Sequence, residues 1–304
     1  METKKQTHCL DLQKLISGSR NTVLIKMQMI HNGLSGCKLE IIDSGILRKY
    51  SSSSDYNKRL LKQINKQILF SKLTLKNINA PKVLATQCGQ LYSFDMEYIP
   101  GLSSYEYFSS VNVCGIEFVI QTLFDYFDRF SNNVKEFTIN NKIIEKINSL
   151  QIKTKYSDYL EYLKTFVNNN QIIIPKTFCH GDLTFNNIIF HKNRLFLIDF
   201  LDSYVDSFFS DLAKLKQDLY HLWSLKVQEE KTLRLIQIYR YIWEKLSKRY
   251  EKYINTKEFE ILDAMNIIRI EPYLTNDNQR IILDTIVKST KLYEKFDYSN
   301  GRKI

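Results

Sequence analysis

The sequence predicts an α+β chain in two lobes: a small antiparallel β-sheet lobe with one helix over residues 1–99, and a larger, mainly helical lobe over residues 100–304. Three observations predict it. β-branched and apolar runs broken by turn-rich tracts fill the first hundred residues. An abrupt Ile99-Pro100-Gly101 stop follows, as befits a hinge. From residue 102 onward the apolar residues recur at helical spacing.

The elements follow in order. Residues 21–30 (NTVLIKMQMI) and 36–50 (GCKLEIIDSGILRKY), separated by HNGLS, read as strand, glycine loop, strand, turn, strand. The SSSSD tract offers capping oxygens to a helix, NKRLLKQINKQILFSKL, in which Leu60, Leu61, Ile64 and Ile68 share a face. Pro81 opens a fourth strand (KVLATQC), Cys88-Gly89-Gln90 turns it, and LYSFDMEY is the fifth. Helices are expected near 113–131, 140–150 and 155–168. A short extended region lies between Ile172 and Asp199, and a helix carrying Leu212, Leu215, Leu219 and Leu222 comes next. Further helices are expected over 227–253, 257–269 and 278–295.

Composition narrows the class. With 304 residues, 44% apolar and 25% charged, the chain has the makeup of a globular protein with a substantial core. No run approaches the ~20 apolar residues of a membrane span, and METKKQTHCLDLQK has no apolar signal core, so no membrane span and a cytoplasmic location are expected. Five scattered cysteines (Cys9, Cys37, Cys88, Cys114, Cys179) include no CxxC pair and suit reduced thiols better than zinc. A net charge of +10 favours anionic ligands, yet the lysines are dispersed and form no nucleic-acid arm, so no nucleic-acid partner is expected.

The most informative stretch is Cys179-His180-Gly181-Asp182-Leu183-Thr184-Phe185-Asn186-Asn187, followed by Leu195-Phe196-Leu197-Ile198-Asp199-Phe200. Ile188–His191 and Leu195–Asp199 read as a hairpin joined by Lys192-Asn193-Arg194. If His191 pairs with Leu195, Asn187 stands opposite Asp199, close enough for one cation to bridge an amide oxygen and a carboxylate. Mg²⁺ prefers such oxygen donors, usually one or two from the protein together with substrate phosphates. Asp182, just before the hairpin, would face an acceptor hydroxyl, the position from which an Asp orients a nucleophile in phosphoryl transfer.

HGDLTFNN followed by LIDF resembles the catalytic and metal-binding motifs of the aminoglycoside phosphotransferase/choline kinase family. The resemblance implies a protein-kinase-like fold, with residues 1–99 as the nucleotide-binding lobe and 100–304 as the catalytic and acceptor-binding lobe. It implies ATP with Mg²⁺, Asp182 as the catalytic Asp, and Asn187 and Asp199 as metal ligands. His180 would support the loop backbone, and Asp211 in SDLAKL would anchor the following helix. GLSGCKLEI resembles the family's nucleotide loop, which makes Gly33, Ser35 and Gly36 candidate phosphate contacts.

Lys49 is the candidate phosphate-contacting lysine, with Arg48 the alternative on the opposite strand face. The family pairs this lysine with a helical Glu, but Tyr56–Leu73 contains no acidic residue. Gln67, and less well Gln63, is placed to bond Lys49 instead. Asp95-Met96-Glu97-Tyr98-Ile99-Pro100-Gly101 resembles the family's interlobe connection, with Glu97 and Tyr98 as backbone contacts to the base. For the acceptor the candidates are Asp202, Arg269 and Tyr273, with Asp206 a further carboxylate. Trp223, Trp243 and nearby tyrosines offer a cage for a quaternary amine. A basic chain argues against a polycationic acceptor and for a sugar, sugar alcohol or amino alcohol. The expected activity is transfer of a γ-phosphoryl group to such a hydroxyl. A nucleotide-binding pseudokinase without turnover is the alternative, and no activation segment between Asp199 and Asp211 suggests a protein substrate.

Overall fold

The computed structural model describes residues 30–32, 37–132, 135–151, 154–227 and 232–299. The first lobe contains β1 (Ile30–Asn32), β2 (Lys38–Asp43), β3 (Ile46–Tyr50), α1 (Asn57–Ser71), β4 (Ile78–Asn79), β5 (Val83–Gln87) and β6 (Ser93–Glu97). Its antiparallel sheet runs β1-β2-β3-β6-β5. Leu60 and Ile64 of α1 pack on Phe94 and Met96 of β6 to form a small core. The buried face of α1 comprises Leu60, Gln63, Ile64, Gln67 and Phe70, while Leu61 is exposed, so the stripe is rotated from the expected one. The serines do not cap α1 in the expected way. Its N-cap is Tyr56, with no side-chain cap, and Ser53 Oγ accepts only from the Tyr56 amide.

The second lobe begins with α2 (Ser104–Ser110), closed by a Ser103/Glu106 capping box that the sequence reading passed over. It continues through α3 (Val113–Ser131), β7 (Glu136–Thr138), α4 (Asn140–Gln151), α5 (Ser157–Asn169) and β8 (Ile173–Pro175). β9 (Ile188–His191) and β10 (Arg194–Leu197) form the hairpin. The remaining helices are α6 (Phe208–Leu219), α7 (Trp223–Val227), α8 (Leu233–Arg249), α9 (Glu251–Ile254), α10 (Lys257–Ile268), α11 (Asp277–Lys288) and α12 (Lys291–Ser299). The single helices expected over 227–253 and 278–295 are thus each broken in two. Among the described residues no helix is long and apolar enough to cross a membrane.

The hairpin corrects one expectation. Lys192 and Asn193 both have positive φ, 45° and 55°, the signature of a two-residue type I′ connection. His191 therefore pairs with Arg194, not Leu195, and Asn187 lies across from Ile198, whose amide bonds the Asn187 carbonyl at 3.0 Å. The expected Asn187–Asp199 pairing does not occur in the ladder. Asp199 lies one residue beyond it in the left-handed region, φ 57°, so strand alternation no longer fixes where its side chain points.

This hairpin is also where the lobes meet. β4 adds to β10 in parallel, and Leu102 exchanges two backbone hydrogen bonds of 2.9 Å with Phe190. Phe70, Ile78 and Ala80 of the first lobe are buried in the large core of the second. Gly101 permits the close approach: a Cβ there would stand 2.4 Å from Ile189 Cγ2 and 2.6 Å from the Phe190 carbonyl oxygen. Backbone cannot yield as a flexible side chain can. Gly101→Ala is expected to cost about 1–3 kcal/mol of stability, read as a fall in thermal midpoint; an unchanged midpoint would show that the interlobe strap is not tightly docked.

Candidate active site

The loop 179–182 is built around one buried carboxylate. Asp211, on the first turn of α6 and fully buried, accepts from the His180 amide at 2.7 Å, the Gly181 amide at 2.8 Å and the Tyr126 hydroxyl at 2.5 Å. Burial pushes its pKa up, and the donors oppose that rise. Gly181 adopts φ 89° and passes so near the next loop that a Cβ would sit 2.5 Å from the Leu201 carbonyl oxygen. His180 is fully buried. Its Nδ1 accepts from the Asp182 amide at 3.2 Å, so Nε2 carries the proton and donates to the Ile198 carbonyl at 2.8 Å. Burial lowers its pKa, which keeps the ring neutral. The Leu201 amide returns a bond of 2.9 Å to the His180 carbonyl. The two loops are held as one unit.

Asp182 emerges from that unit with its side chain 27% exposed. Asn187 Nδ2 donates to its carboxylate at 3.0 Å and to its carbonyl at 2.8 Å, from a 3₁₀ turn over Phe185–Asn187. That leaves the Asn187 amide oxygen as its one acceptor for a ligand. Lys214, a turn along α6 from Asp211, places Nζ 2.9 Å from Asp182 Oδ1, with Arg269 at 3.9 Å. Burial raises the Asp182 pKa, but Lys214 and Arg269 outweigh it and hold the carboxyl at about 2. Lys214 is itself pushed down to about 8, by burial and by Arg269, against the pull of Asp182. The sequence reading missed Lys214 because a lysine on an amphipathic helix reads as solvated. Its signal was the three-residue spacing from Asp211, which puts both on one side of α6.

On the first lobe, strand alternation puts Lys49 and Arg48 on opposite faces of β3. Lys49 is buried and places Nζ 2.7 Å from Asp199 Oδ1, whereas Arg48 on the other face forms a bidentate pair with Asp95 at 2.5 and 2.8 Å. Burial disfavours the Lys49 ammonium, but Asp199 more than offsets it and its pKa is raised. The expected bond from Gln67 to Lys49 is not made. Gln67 Nε2 is spent on the Pro81 carbonyl at 2.7 Å and approaches Met96 Sδ at 3.6 Å, because the residue faces the sheet core. Gln63 Nε2 donates to the Tyr56 hydroxyl at 2.9 Å, so it does not serve Lys49 either. The lysine's partner comes from the other lobe.

The remaining candidates divide. Gly33, Ser35 and Gly36 lie outside the described residues. The Glu97 and Tyr98 amides are already bonded to the Lys82 and Gly45 carbonyls at 2.9 and 2.8 Å, so those two residues can meet a base only through carbonyl oxygens. Asp202 pairs with Lys62 at 2.7 Å and Asp206 with Lys66 at 2.9 Å, both lysines on α1. Asp182, Asp202, Arg269 and the exposed Tyr273 line one cavity of about 640 Å³, together with Asn187, Lys214 and Trp223. Of the aromatic candidates, Trp243 is buried in the core, while Trp223 lines the cavity with Tyr204 and Tyr273.

Asn187 and Asp199 are hard oxygen donors, and the Asp199 side chain is 46% exposed despite its ion pair. That set fits Mg²⁺, which takes few protein ligands and completes its shell from phosphates and water.

The fold has known counterparts. The profile of a family described as "Phosphotransferase enzyme family" matches residues 160–247, a segment that contains Asp182, Asn187, Asp199, Asp211 and Lys214. Comparison with curated proteins finds no match. Among solved structures, the streptomycin–ATP ternary complex of APH(2")-IIa superposes with a TM-score of 0.53 at 16% identity, covering 88% of this chain and 94% of that one. A thermostable mutant of aminoglycoside phosphotransferase APH(4)-Ia, in ternary complex with AMP-PNP and hygromycin B, gives 0.56 at 11% identity, again over 88% and 94%. Aminoglycoside phosphotransferase APH(3'')-Id from Streptomyces rimosus gives 0.51 at 16% identity over 81% and 92%. At these identities the structural likeness establishes the protein-kinase-like fold. The profile match over residues 160–247 bears out the resemblance to the phosphotransferase family.

The Asp182–Lys214 pair yields a titration test. In the metal-free protein the Asp182 carboxyl carbon, followed by NMR, should titrate near pH 2. In Lys214→Gln burial acts with less opposition, and the midpoint should move into or above the ordinary carboxylate range near 4. By linkage, the pairing adds stability above about pH 4 that is lost as pH falls towards 2. A midpoint unchanged by the substitution would remove Lys214 as the controlling charge.

Proposed function

We propose that this chain transfers the γ-phosphoryl group of ATP, or another nucleoside triphosphate, to a hydroxyl of a small molecule. The carrying observation is the placement of Asp182: on a loop locked by Asp211, bonded to Asn187, at the wall of a cavity of about 640 Å³. Asp182 is the proposed catalytic base. Held ionised by Lys214 and Arg269, it accepts a hydrogen bond from the acceptor hydroxyl, orients the oxygen and takes its proton as the new P–O bond forms.

Asn187 and Asp199 are the proposed holders of Mg²⁺, which when bound supplies charge neutralisation on the phosphate oxygens. Lys49 is the proposed phosphate contact, and its pairing with Asp199 keeps it directed at that place before nucleotide arrives. The loop containing Gly33, Ser35 and Gly36, and the carbonyls of Glu97 and Tyr98, are proposed to hold the phosphates and base. His180 and Asp211 position the loop and touch no reacting atom. The domain division that follows is a nucleotide lobe over 1–99 and a catalytic lobe over 100–304, and a reaction drawing on ATP suits a cytoplasmic setting.

The pseudokinase alternative drew on the missing helical Glu. Lys49 has a carboxylate partner in Asp199, so that motive no longer favours it. Full-length protein with ATP, Mg²⁺ and a panel of hydroxylated small molecules should release ADP in an acceptor-dependent way. Asp182→Ala should lower kcat by about a hundredfold or more, and Lys49→Ala should raise the KM for ATP about tenfold. Tight ATP binding with no turnover on any acceptor would sink the catalytic reading.

A further inference from the structure

We infer that the acceptor carries an oxyanion, a phosphate or a carboxylate, beside the hydroxyl that is phosphorylated, and that Arg59, Lys146 and Arg269 bind it; this rests on the reading of Asp182 as the acceptor's base. The cavity beside Asp182 is walled by four cations, Arg59, Lys146, Lys214 and Arg269, against two carboxylates, Asp182 and Asp202. Both carboxylates are already engaged. Asp182 is shared by Lys214 and Arg269, and Asp202 is held by Lys62, which is not part of the wall.

Among the described residues, neither Arg59 nor Lys146 has a carboxylate within ion-pair distance. Lys146 is half-buried on α4, Arg59 comes from α1, and Arg269 caps α10, so three separate elements bring positive charge to one place. Burial first, then the charges of Arg269 and Arg59, lower the Lys146 pKa, which marks the three as neighbours in one another's field. Like charges that outnumber their counterions in one place destabilise a fold unless a ligand supplies the opposite charge.

The nucleotide is a poor candidate for that ligand. Lys49 and Asp199, where its phosphates are proposed to lie, do not line this cavity, and of the residues proposed to hold its metal only Asn187 borders it. The acceptor is the molecule that enters here. A guanidinium offers two parallel donors and an ammonium a point charge, the pair of groups that recognises phosphate or carboxylate oxygens. Choline-like amines and polycationic aminoglycosides would meet uncompensated repulsion in the same place. The inferred acceptor class is therefore a phosphorylated or acidic sugar or polyol with a free hydroxyl.

The test compares three sets of acceptors with the full chain, ATP and Mg²⁺: glucose and other neutral sugars, glucosamine and choline, and glucose 6-phosphate, glucuronate and their phosphorylated or acidic mono- and disaccharide analogues. Calorimetric binding in the presence of AMP-PNP runs beside turnover. The expected result is that kcat/KM and binding favour an anionic member by at least about tenfold over its neutral counterpart, and that this preference shrinks as salt is raised.

Lys146→Gln and Arg59→Gln, side chains outside the hydrophobic core, should each raise the KM for the anionic acceptor about tenfold, with the KM for ATP and the thermal midpoint as controls. Whether phosphate or carboxylate is the group is read from which members of the anionic set respond. Equal or better use of neutral or cationic acceptors would overturn the inference while leaving the phosphotransferase reading intact. Lys146-dependent binding of anionic sugars without any turnover would do the reverse.

Discussion

The fully buried carboxylate of Asp211 is the constraint on which the site depends. Taking an isolated carboxylate out of water is costly, and it is tolerated here because two backbone amides and a tyrosine hydroxyl converge on it. The amides belong to His180 and Gly181, so the interaction that satisfies the charge also fixes the loop one residue before Asp182. Tyr126 brings α3 into the same arrangement. Gly181 must then take a left-handed φ, and it does so where a side chain would strike Leu201. A loop with its backbone spoken for on both sides has little freedom left, which is the condition for holding a reacting group to a fraction of an ångström.

A second consequence is electrostatic. α6 carries Asp211 and, three residues on, Lys214, so the helix that anchors the loop also delivers the cation that keeps Asp182 ionised. Across the cleft the arrangement repeats with signs exchanged: the buried ammonium of Lys49 is stabilised by Asp199 from the second lobe. Asp182 and Lys49 are thus each matched by an opposite charge before any ligand binds. An incoming metal and polyphosphate would exchange partners within a polar site and would not have to create charge in an apolar one.

Much of this was legible in the sequence, and what was not has identifiable causes. The two-lobe division, four of the sheet's strands and most helices follow from hydrophobic period and from Pro100-Gly101, because burial on one face writes itself into spacing; the strand expected over 21–30 lies, but for Ile30, outside the described residues. The hairpin was read correctly as a hairpin but in the wrong register. Lys192-Asn193-Arg194 offers no glycine to mark which residues take positive φ, and one residue of loop length separates the two pairings. β4 has two residues and pairs in parallel, too short to leave a pattern. Gln67 was misassigned because polar residues on a buried helix face look like site residues, whereas this one satisfies the Pro81 carbonyl. The cationic cavity wall was invisible for a different reason: it arises from residues far apart in number whose convergence only the fold specifies.

α1 shows how the missing acidic residue and the basic cavity belong to one design. Leu60, Gln63, Ile64 and Gln67 face the small sheet. Arg59, Lys62, Lys66 and Phe70, at helical spacing, form a second stripe turned to the other lobe. Phe70 packs against Tyr126, Phe178 and Phe200, Lys66 bonds the Leu201 carbonyl and Asp206, Lys62 holds Asp202, and Arg59 reaches the cavity wall. A glutamate on that stripe would face Asp202 and Asp206 and repel them. Lysines there tie the segment after Asp199 to the first lobe, and Asp199 in turn supplies the partner that Lys49 does not find on the helix. The carboxylate partner of Lys49 thus comes from the loop and not from the helix, and Arg59 is the residue of α1 that brings positive charge to the proposed acceptor site.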